Sequence, residues 1–144
     1  MKRLPIFLLL IVTVTLTACR GAASPQPASS GIGQMVAVAG GSYIDVAVAE
    51  LQSMLANKNF IFVNVHIPFE GDIAKTDLSI PYDQIDQNLG QLPSDKNAKI
   101  VLYCRSGRMS AIAAKTLVGL GYTNIWNLSG GMVAWEQAGL PIDR

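Results

Sequence analysis

Apolar residues in the last third of the chain fall into two alternating patterns. A continuous apolar run at residues 99–103 has the length and composition of a buried strand, and residues 124–128 are predicted as a further strand. Each is followed by a segment with apolar positions at helical spacing, the first from Met109 to a stop at Gly121 and the second from Met132 to Ala138. This part of the chain is therefore predicted to alternate strand and helix.

The segment from Met35 to Leu92 shows the same alternation less clearly. The elements predicted here are strands at 43–46, 60–65 and 78–80 and short helices at 48–57 and 82–89. Strands alternating with helices favour an α/β fold, a single domain with a mainly parallel central sheet flanked by helices. In such sheets the functional site lies beyond the carboxyl ends of the strands, and the turn after Tyr103 is such a place.

The N-terminus has a different pattern. Lys2 and Arg3 precede an almost unbroken apolar run, Leu4 to Leu16, which small residues follow. This order is typical of a secretory signal. The run is shorter than the roughly 20 residues that cross a bilayer core, so a transmembrane anchor is disfavoured.

The residues Leu16-Thr17-Ala18-Cys19 resemble a bacterial lipobox. The resemblance implies cleavage before Cys19 and lipid on that cysteine, and the alternative is an ordinary signal peptide with a chance cysteine. Arg20 to Gln34 is rich in Ala, Ser, Pro and Gly and predicts a flexible tether. The predicted division is a signal at 1–18, the lipidated cysteine and tether at 19–34, and the domain at 35–144. The protein is expected to be exported and held on a membrane of the cell envelope by its lipid.

Charge and cysteine content further limit the functions that the sequence allows. The chain has 11 Lys plus Arg and 10 Asp plus Glu. Removing Lys2 and Arg3 with the signal leaves 9 basic and 10 acidic residues. This balance gives no electrostatic case for a nucleic-acid partner. If Cys19 carries lipid, Cys104 is the one thiol of the mature domain, in a compartment where disulfides normally form. Its presence there calls for a chemical explanation.

The turn after Tyr103 has the features of an anion cradle. Amides at a helix start have no intrahelical acceptor and favour an anion. Gly107 allows the turn to curl, and Arg105 and Arg108 add positive charge. All three effects favour the thiolate of Cys104 over the thiol. The alternative is a buried, inert cysteine.

Two chemistries place a cysteine in such a loop. Cysteine-based phosphatases carry an arginine six residues after the cysteine, where this chain has Ser110. Arg108 comes two positions too early for that role. Phosphate ester hydrolysis is therefore disfavoured, whereas sulfur transfer needs only a smaller cradle for a persulfide.

The chain resembles rhodanese-like domains, strongly from about Lys99 onward and more faintly before that. The segments that carry the resemblance are Ile100-Val101-Leu102-Tyr103-Cys104-Arg105-Ser106-Gly107-Arg108, Gly119-Leu120-Gly121-Tyr122, Leu128-Ser129-Gly130-Gly131-Met132-Val133-Ala134-Trp135 and Gly139-Leu140-Pro141.

The resemblance implies a sulfurtransferase. The Cys104 thiolate would take the outer sulfur of a donor such as thiosulfate and pass it to an acceptor such as cyanide or a thiol. The persulfide would be bound by the loop that follows, Arg105, Ser106, Gly107, Arg108, Met109 and Ser110. The resemblance implies no metal and no organic cofactor.

Two departures from the family pattern alter the charge expected near the site. Many relatives have Asp-x-Arg where this chain has Asn64-Val65-His66, and an arginine where it has Met109. His66 is a candidate auxiliary that restores positive charge, although a loop histidine with no catalytic role is the favoured interpretation. Glu70 and Asp72 are expected to be simply solvated. The two tryptophans are expected to pack in or near the core, at Trp126 and Trp135.

The favoured function is sulfur transfer. The alternative is a non-catalytic rhodanese-like module that binds a partner or senses sulfur or redox state at the envelope. The missing Asp-x-Arg favours that alternative, and the intact Cys104 with its arginine-rich loop speaks against it. Arsenate reduction would need a resolving thiol, and the mature domain has none to spare.

Overall fold

The computed structural model describes residues 31–144, so the predicted signal and Cys19 lie outside the described residues. The six strands are β1 (Gln34–Val38), β2 (Gly41–Val46), β3 (Ile61–Asn64), β4 (Leu78–Ser79), β5 (Ile100–Tyr103) and β6 (Ile125–Leu128). The three helices are α1 (Val48–Ala56), α2 (Arg108–Gly119) and α3 (Gly131–Gln137), with a 3-10 turn at Leu89–Gln91. None of the helices between residues 31 and 144 has the length and apolar character needed to cross a membrane.

All six strands form one sheet in the order β1-β2-β6-β5-β3-β4. β1 and β2 form an antiparallel hairpin, and every other neighbouring pair is parallel. β5 lies in the interior of the sheet, and all four of its residues are buried. The predicted α/β fold with a mainly parallel sheet is confirmed, and Cys104 directly follows an interior strand.

Helices cover both faces of the sheet. Ile100 and Leu102 of β5 pack with residues of α2, whereas Val101 and Tyr103 pack with residues of α1 and α3. Successive side chains of a strand point to opposite faces, so a strand buried on both faces requires the continuous apolar run seen in the sequence. Trp126 and Trp135 are only 9% and 6% exposed, which confirms their packing role.

The helix predicted at residues 82–89 is wrong. Amides in this segment bond to carbonyls three residues earlier, as from Gln84 to Pro81 and from Asn88 to Ile85. The Asn88 side chain also donates to the carbonyl of Gln84, 2.8 Å away. Asp and Asn side chains compete with helical hydrogen bonds, and here they favour successive turns.

The first strand begins one residue before the predicted domain boundary at Met35. Gln34, which the sequence places in the tether, starts β1. The Glu50 carboxylate accepts hydrogen bonds from the amides of Ala47 and Gly33, each 2.8 Å long. These bonds hold the pKa of Glu50 below its ordinary value, the Ala47 amide most of all. They also fasten the start of the hairpin to α1.

The hydroxyl of Tyr103 joins β5 to the loop that follows β3. It accepts the Ile73 amide at 3.0 Å, donates to Asp72 Oδ1 at 3.0 Å, and lies 2.7 Å from Thr76 Oγ1. Burial raises the pKa of Tyr103 well above its ordinary value. Asp72 also accepts a bond from the side-chain amide of Asn64 at 2.9 Å. The expectation that Asp72 is simply solvated is therefore wrong.

Replacing Tyr103 by Phe should lower the free energy of unfolding by about 1–3 kcal/mol, because the buried Ile73 amide loses its acceptor. Urea denaturation measures the change. The control is Tyr82→Phe, since the Tyr82 hydroxyl makes no hydrogen bond within residues 31–144. Its free energy of unfolding should stay within about 0.5 kcal/mol of the parent's. Equal stability of the two variants would refute the role of this hydroxyl.

The turn between β6 and α3 supports the segment that carries Cys104. The amides of Met132 and Val133 donate to the carbonyls of Cys104 and Arg105, both at 2.9 Å. Gly131 has a φ of 56°, and a Cβ there would overlap the Cys104 carbonyl oxygen and lie 2.7 Å from the carbonyl carbon of Arg105. Only glycine fits this close approach of two backbones.

Gly131→Ala should therefore destabilise the protein by about 1–3 kcal/mol and displace the segment after β5. Gly90→Ala is the control, because a Cβ there meets no atom within 4 Å and Gly90 has no positive φ. Chemical denaturation of both variants measures the difference. If Gly131→Ala unfolds with its midpoint at the same denaturant concentration as the parent, the predicted overlap is contradicted.

Candidate active site

Cys104 lies at the carboxyl end of β5, between β3 and β6. Its side chain is only 1% exposed, and it is a free cysteine. The chain turns through residues 105–107 and enters α2 at Arg108. The strand therefore delivers the thiol to the start of a helix, as the sequence predicts.

Two groups of the loop donate toward the sulfur. The Gly107 amide lies 3.1 Å from Cys104 Sγ, and the Ser110 hydroxyl oxygen lies 3.4 Å from it. The same hydroxyl reaches the carbonyl of Gly107 at 3.1 Å. Gly107 has a φ of 89°, a conformation that favours glycine, and a Cβ there would lie 3.1 Å from the Gly130 amide nitrogen. Glycine at this position lets the loop curl around the sulfur.

The first turn of α2 adds further donors at this end of the helix. The first helical hydrogen bond runs from the Ala111 amide to the Gly107 carbonyl. The amides of residues 108–110 therefore have no acceptor within the helix. They form its positive end, where an anion is stabilised. The start of α2 and the Gly107 amide thus provide backbone donors beside Cys104.

The predicted loop residues divide into a buried set and an exposed set. Ser110 is buried, and Met109 packs partly buried against the cluster between α2 and the sheet. The side chains of Arg105, Ser106 and Arg108 are exposed. The methionine that replaces the family's arginine thus contributes packing and no charge.

Arg105 does not present an isolated positive charge. Its Nη1 lies 2.9 Å and 3.0 Å from the two carboxylate oxygens of Glu70. The expectation that Glu70 is simply solvated is therefore wrong. Arg108 makes no ion pair with another residue between 31 and 144, and it remains the exposed cation of the loop.

His66 is brought to the same edge of the sheet. Its side chain is 7% exposed, and Nε2 lies 3.4 Å from Glu70 Oε2. Neither ring nitrogen has a hydrogen-bond partner among residues 31–144, since the geometry toward Glu70 is poor. The ring thus lies close to Glu70, which in turn binds Arg105.

Asn64 explains part of the departure from Asp-x-Arg. Its side-chain amide donates to the Gly71 carbonyl and to Asp72 Oδ1, both at 2.9 Å, and its Oδ1 accepts the His66 amide. An ionised aspartate has no hydrogen to donate to these acceptors. Asn64 therefore fixes the loop that carries Glu70, a role that the sequence alone did not indicate.

A cavity of about 390 Å³ lies beside the loop, lined by Glu70, Arg105, Met132, Glu136 and Arg144. Arg144 pairs with Glu136 at 2.5 Å. Cys104 is not among the lining residues, so the cavity adjoins the sulfur site through Arg105. The sequence did not indicate this cavity, because its walls come from a loop, a helix and the C-terminal segment, which are distant along the chain.

Comparison with known proteins agrees with this geometry. A family model of the rhodanese-like domain matches residues 48–138. A sulfurtransferase of Allochromatium vinosum is 34% identical over 94 residues, which cover 63% of this chain and 85% of that protein. The crystal structure of a rhodanese-like domain protein from Staphylococcus aureus matches with a TM-score of 0.58 and 32% identity, covering 69% of this chain and 98% of that one.

Some relatives are much longer than this chain. An uncharacterized protein of Synechocystis sp. is 35% identical over 100 residues, covering 68% of this chain and 55% of that protein. A tRNA uridine(34) hydroxylase of Erwinia tasmaniensis is 30% identical over 112 residues, covering 71% of this chain and 31% of that protein.

The family model covers well over half of the 144 residues, from α1 to the end of α3. Relatives that are named sulfurtransferase support a domain of the sulfur-transfer type. The chain therefore belongs to the rhodanese-like domain family.

Proposed function

We propose that this protein is a sulfurtransferase that carries a sulfane sulfur as a persulfide on Cys104. The observation that carries the proposal is the pair of donors on Cys104 Sγ, the Gly107 amide and the Ser110 hydroxyl, at the positive end of α2. Hydrogen bonds from fixed dipoles stabilise charge on sulfur without any reorganisation during the reaction.

The first half-reaction loads the cysteine. The Cys104 thiolate attacks the outer sulfur of a donor, for which thiosulfate is the simplest example. The new S–S bond forms as the donor's S–S bond breaks, and the electron pair of the broken bond leaves with sulfite. The terminal sulfur of the persulfide carries the negative charge, and the amides of residues 108–110 are the donors available to it.

The second half-reaction removes the transferred sulfur from Cys104. A nucleophile such as cyanide or a thiolate attacks the terminal sulfur, and the electron pair of the persulfide bond returns to Cys104 as thiolate. The product is thiocyanate or a low-molecular-weight persulfide. Every electron is supplied by the donor or the acceptor, so the cycle needs no external redox partner.

A second candidate function is a non-catalytic module that binds a partner or senses sulfur at the envelope. The observation that favours it is the pairing of Arg105 with Glu70, which neutralises one cation of the loop. Such a module would accept sulfur on Cys104 and release it slowly, whereas a sulfurtransferase turns over.

We also propose an exported protein, with lipid on Cys19 and residues 20–33 as the tether. The support is the basic start, the short apolar run and Leu16-Thr17-Ala18-Cys19. Several acyl chains on one residue would hold the domain firmly on a membrane, since each buried methylene contributes about 0.8 kcal/mol.

Cys104→Ser should abolish loading and turnover. The full-length protein in mild detergent is treated with thiosulfate, and its intact mass is measured before cyanide is added. We expect a gain of one sulfur atom and thiocyanate production in the parent, and a rate below about one thousandth of it in the variant. Cys19→Ala is the control, because it removes the other cysteine of the chain and should keep both properties.

The outcomes of this experiment separate the candidate functions. Loading with turnover supports a sulfurtransferase, and loading without turnover favours the sensing module. A Cys104→Ser protein that still gains sulfur would refute the persulfide on Cys104.

Cys19→Ala should move the protein from the membrane fraction to the soluble fraction of lysed cells, because the residue that carries the lipid is lost. Fractionation and detection of a C-terminal tag measure the change. Ser24→Ala in the tether is the control and should leave the protein on the membrane. A Cys19→Ala protein that stays membrane-bound would point to an uncleaved apolar anchor at residues 4–16.

A further inference from the structure

We propose that Glu70 is a specificity-determining residue that selects a singly charged organic persulfide as sulfur donor over dianionic thiosulfate. The inference rests on the proposed function and names the donor class of the same site. It follows from the charges around Arg105, from the size and lining of the adjoining cavity, and from the way Glu70 is fixed.

The first step concerns the charge of Arg105. Arg105 directly follows the sulfur-bearing cysteine and lines the cavity beside the loop. One of its nitrogens binds both oxygens of Glu70, at 2.9 Å and 3.0 Å. A dianion that approaches Cys104 past Arg105 therefore meets a carboxylate as well as the guanidinium, and the attraction of the cation is largely cancelled.

The second step concerns the other charges of the cavity. Glu136 and Arg144 also line it and pair with each other at 2.5 Å. Two carboxylates and two guanidiniums leave the lining with no formal net charge. Arg108, exposed on the first turn of α2, is the remaining cation of the loop. One net positive charge beside the sulfur balances a monoanion, whereas a dianion bound there keeps one negative charge uncompensated.

The third step concerns size and lining. A volume of about 390 Å³ lies within the range of cavities that hold small organic ligands, and it exceeds what a small inorganic anion fills. Met132 contributes a polarisable thioether to the lining. The carbon part of an organic persulfide has this volume and the Met132 side chain to contact.

The fourth step concerns the position of Glu70. Asn64 donates to the carbonyl of Gly71, the residue after Glu70, and His66 lies 3.4 Å from the Glu70 carboxylate. Asp72 is held by Tyr103. Before Glu70 the His66 amide donates to Asn64 Oδ1 at 2.9 Å. The loop is thus held on both sides of Glu70, which keeps the carboxylate beside Arg105 while a donor binds.

The test measures how fast each donor loads Cys104 in the full-length protein. The probes are thiosulfate and the hydropersulfide of 2-mercaptoethanol, whose only charge is on its sulfur. Rapid quenching followed by intact-mass analysis gives a second-order rate constant for each. The parent should load faster from the hydropersulfide. Glu70→Gln should raise the thiosulfate rate at least about tenfold and change the hydropersulfide rate by less than about threefold.

Two further variants separate charge at Arg105 from general effects. Asp95→Asn makes the same charge change at an exposed residue that precedes β5, at the end of the strand opposite Cys104, and should leave both rates unchanged. In an Arg105→Gln protein, the thiosulfate rate should fall below the parent's, because the Glu70 carboxylate is then left without the cation that offsets it.

The results also separate this inference from the proposed function. Loading that keeps the parent's donor preference in Glu70→Gln overturns the specificity role and leaves the sulfurtransferase intact. An Arg105→Gln protein that loads thiosulfate as fast as the parent overturns it too. If neither donor loads Cys104 in any variant, the proposed function fails and the inference fails with it.

Discussion

Two main-chain hydrogen bonds fix the loop on which the chemistry depends. The first amides of α3, at Met132 and Val133, bind the carbonyls of Cys104 and Arg105. This contact is possible because Gly131 has no Cβ to strike the Cys104 carbonyl. With its carbonyls held from this side, the loop directs the Gly107 amide toward the cysteine sulfur. The geometry around Cys104 thus depends on a turn that follows a different strand.

Stabilisation of charge on sulfur and recruitment of the donor rest on different groups. The Gly107 amide and the Ser110 hydroxyl lie 3.1 Å and 3.4 Å from the sulfur, whatever charge the surrounding side chains carry. The charged side chains stand farther out, where Glu70 pairs with Arg105. In the proposed mechanism, changes in this outer layer alter which donor binds while the sulfur site stays the same. The polar network of Asn64, Asp72 and Tyr103 holds that layer in place.

The sequence predicts the sulfur site because its information is local. A buried strand, a cysteine, a glycine and a helix follow one another between residues 100 and 119, and parallel-sheet topology places the turn between strand and helix at the functional edge. The same reasoning fails where tertiary contacts determine the local structure or the partners of a side chain. Residues 82–89 have a mixed pattern, and their Asp and Asn side chains favour turns. Glu70 and Asp72 look like solvated acids in sequence, yet their partners Arg105 and Tyr103 lie more than thirty residues away.

The most direct test of persulfide chemistry at Cys104 is a crystal structure of the thiosulfate-treated or hydropersulfide-treated protein at a resolution that shows individual sulfur atoms. We expect density for one extra sulfur bonded to Cys104 Sγ, within hydrogen-bonding distance of amides at residues 108–110, with the loop unmoved. An unmodified Cys104 in a protein that has gained sulfur elsewhere, or an extra sulfur turned away from those amides, would contradict the mechanism.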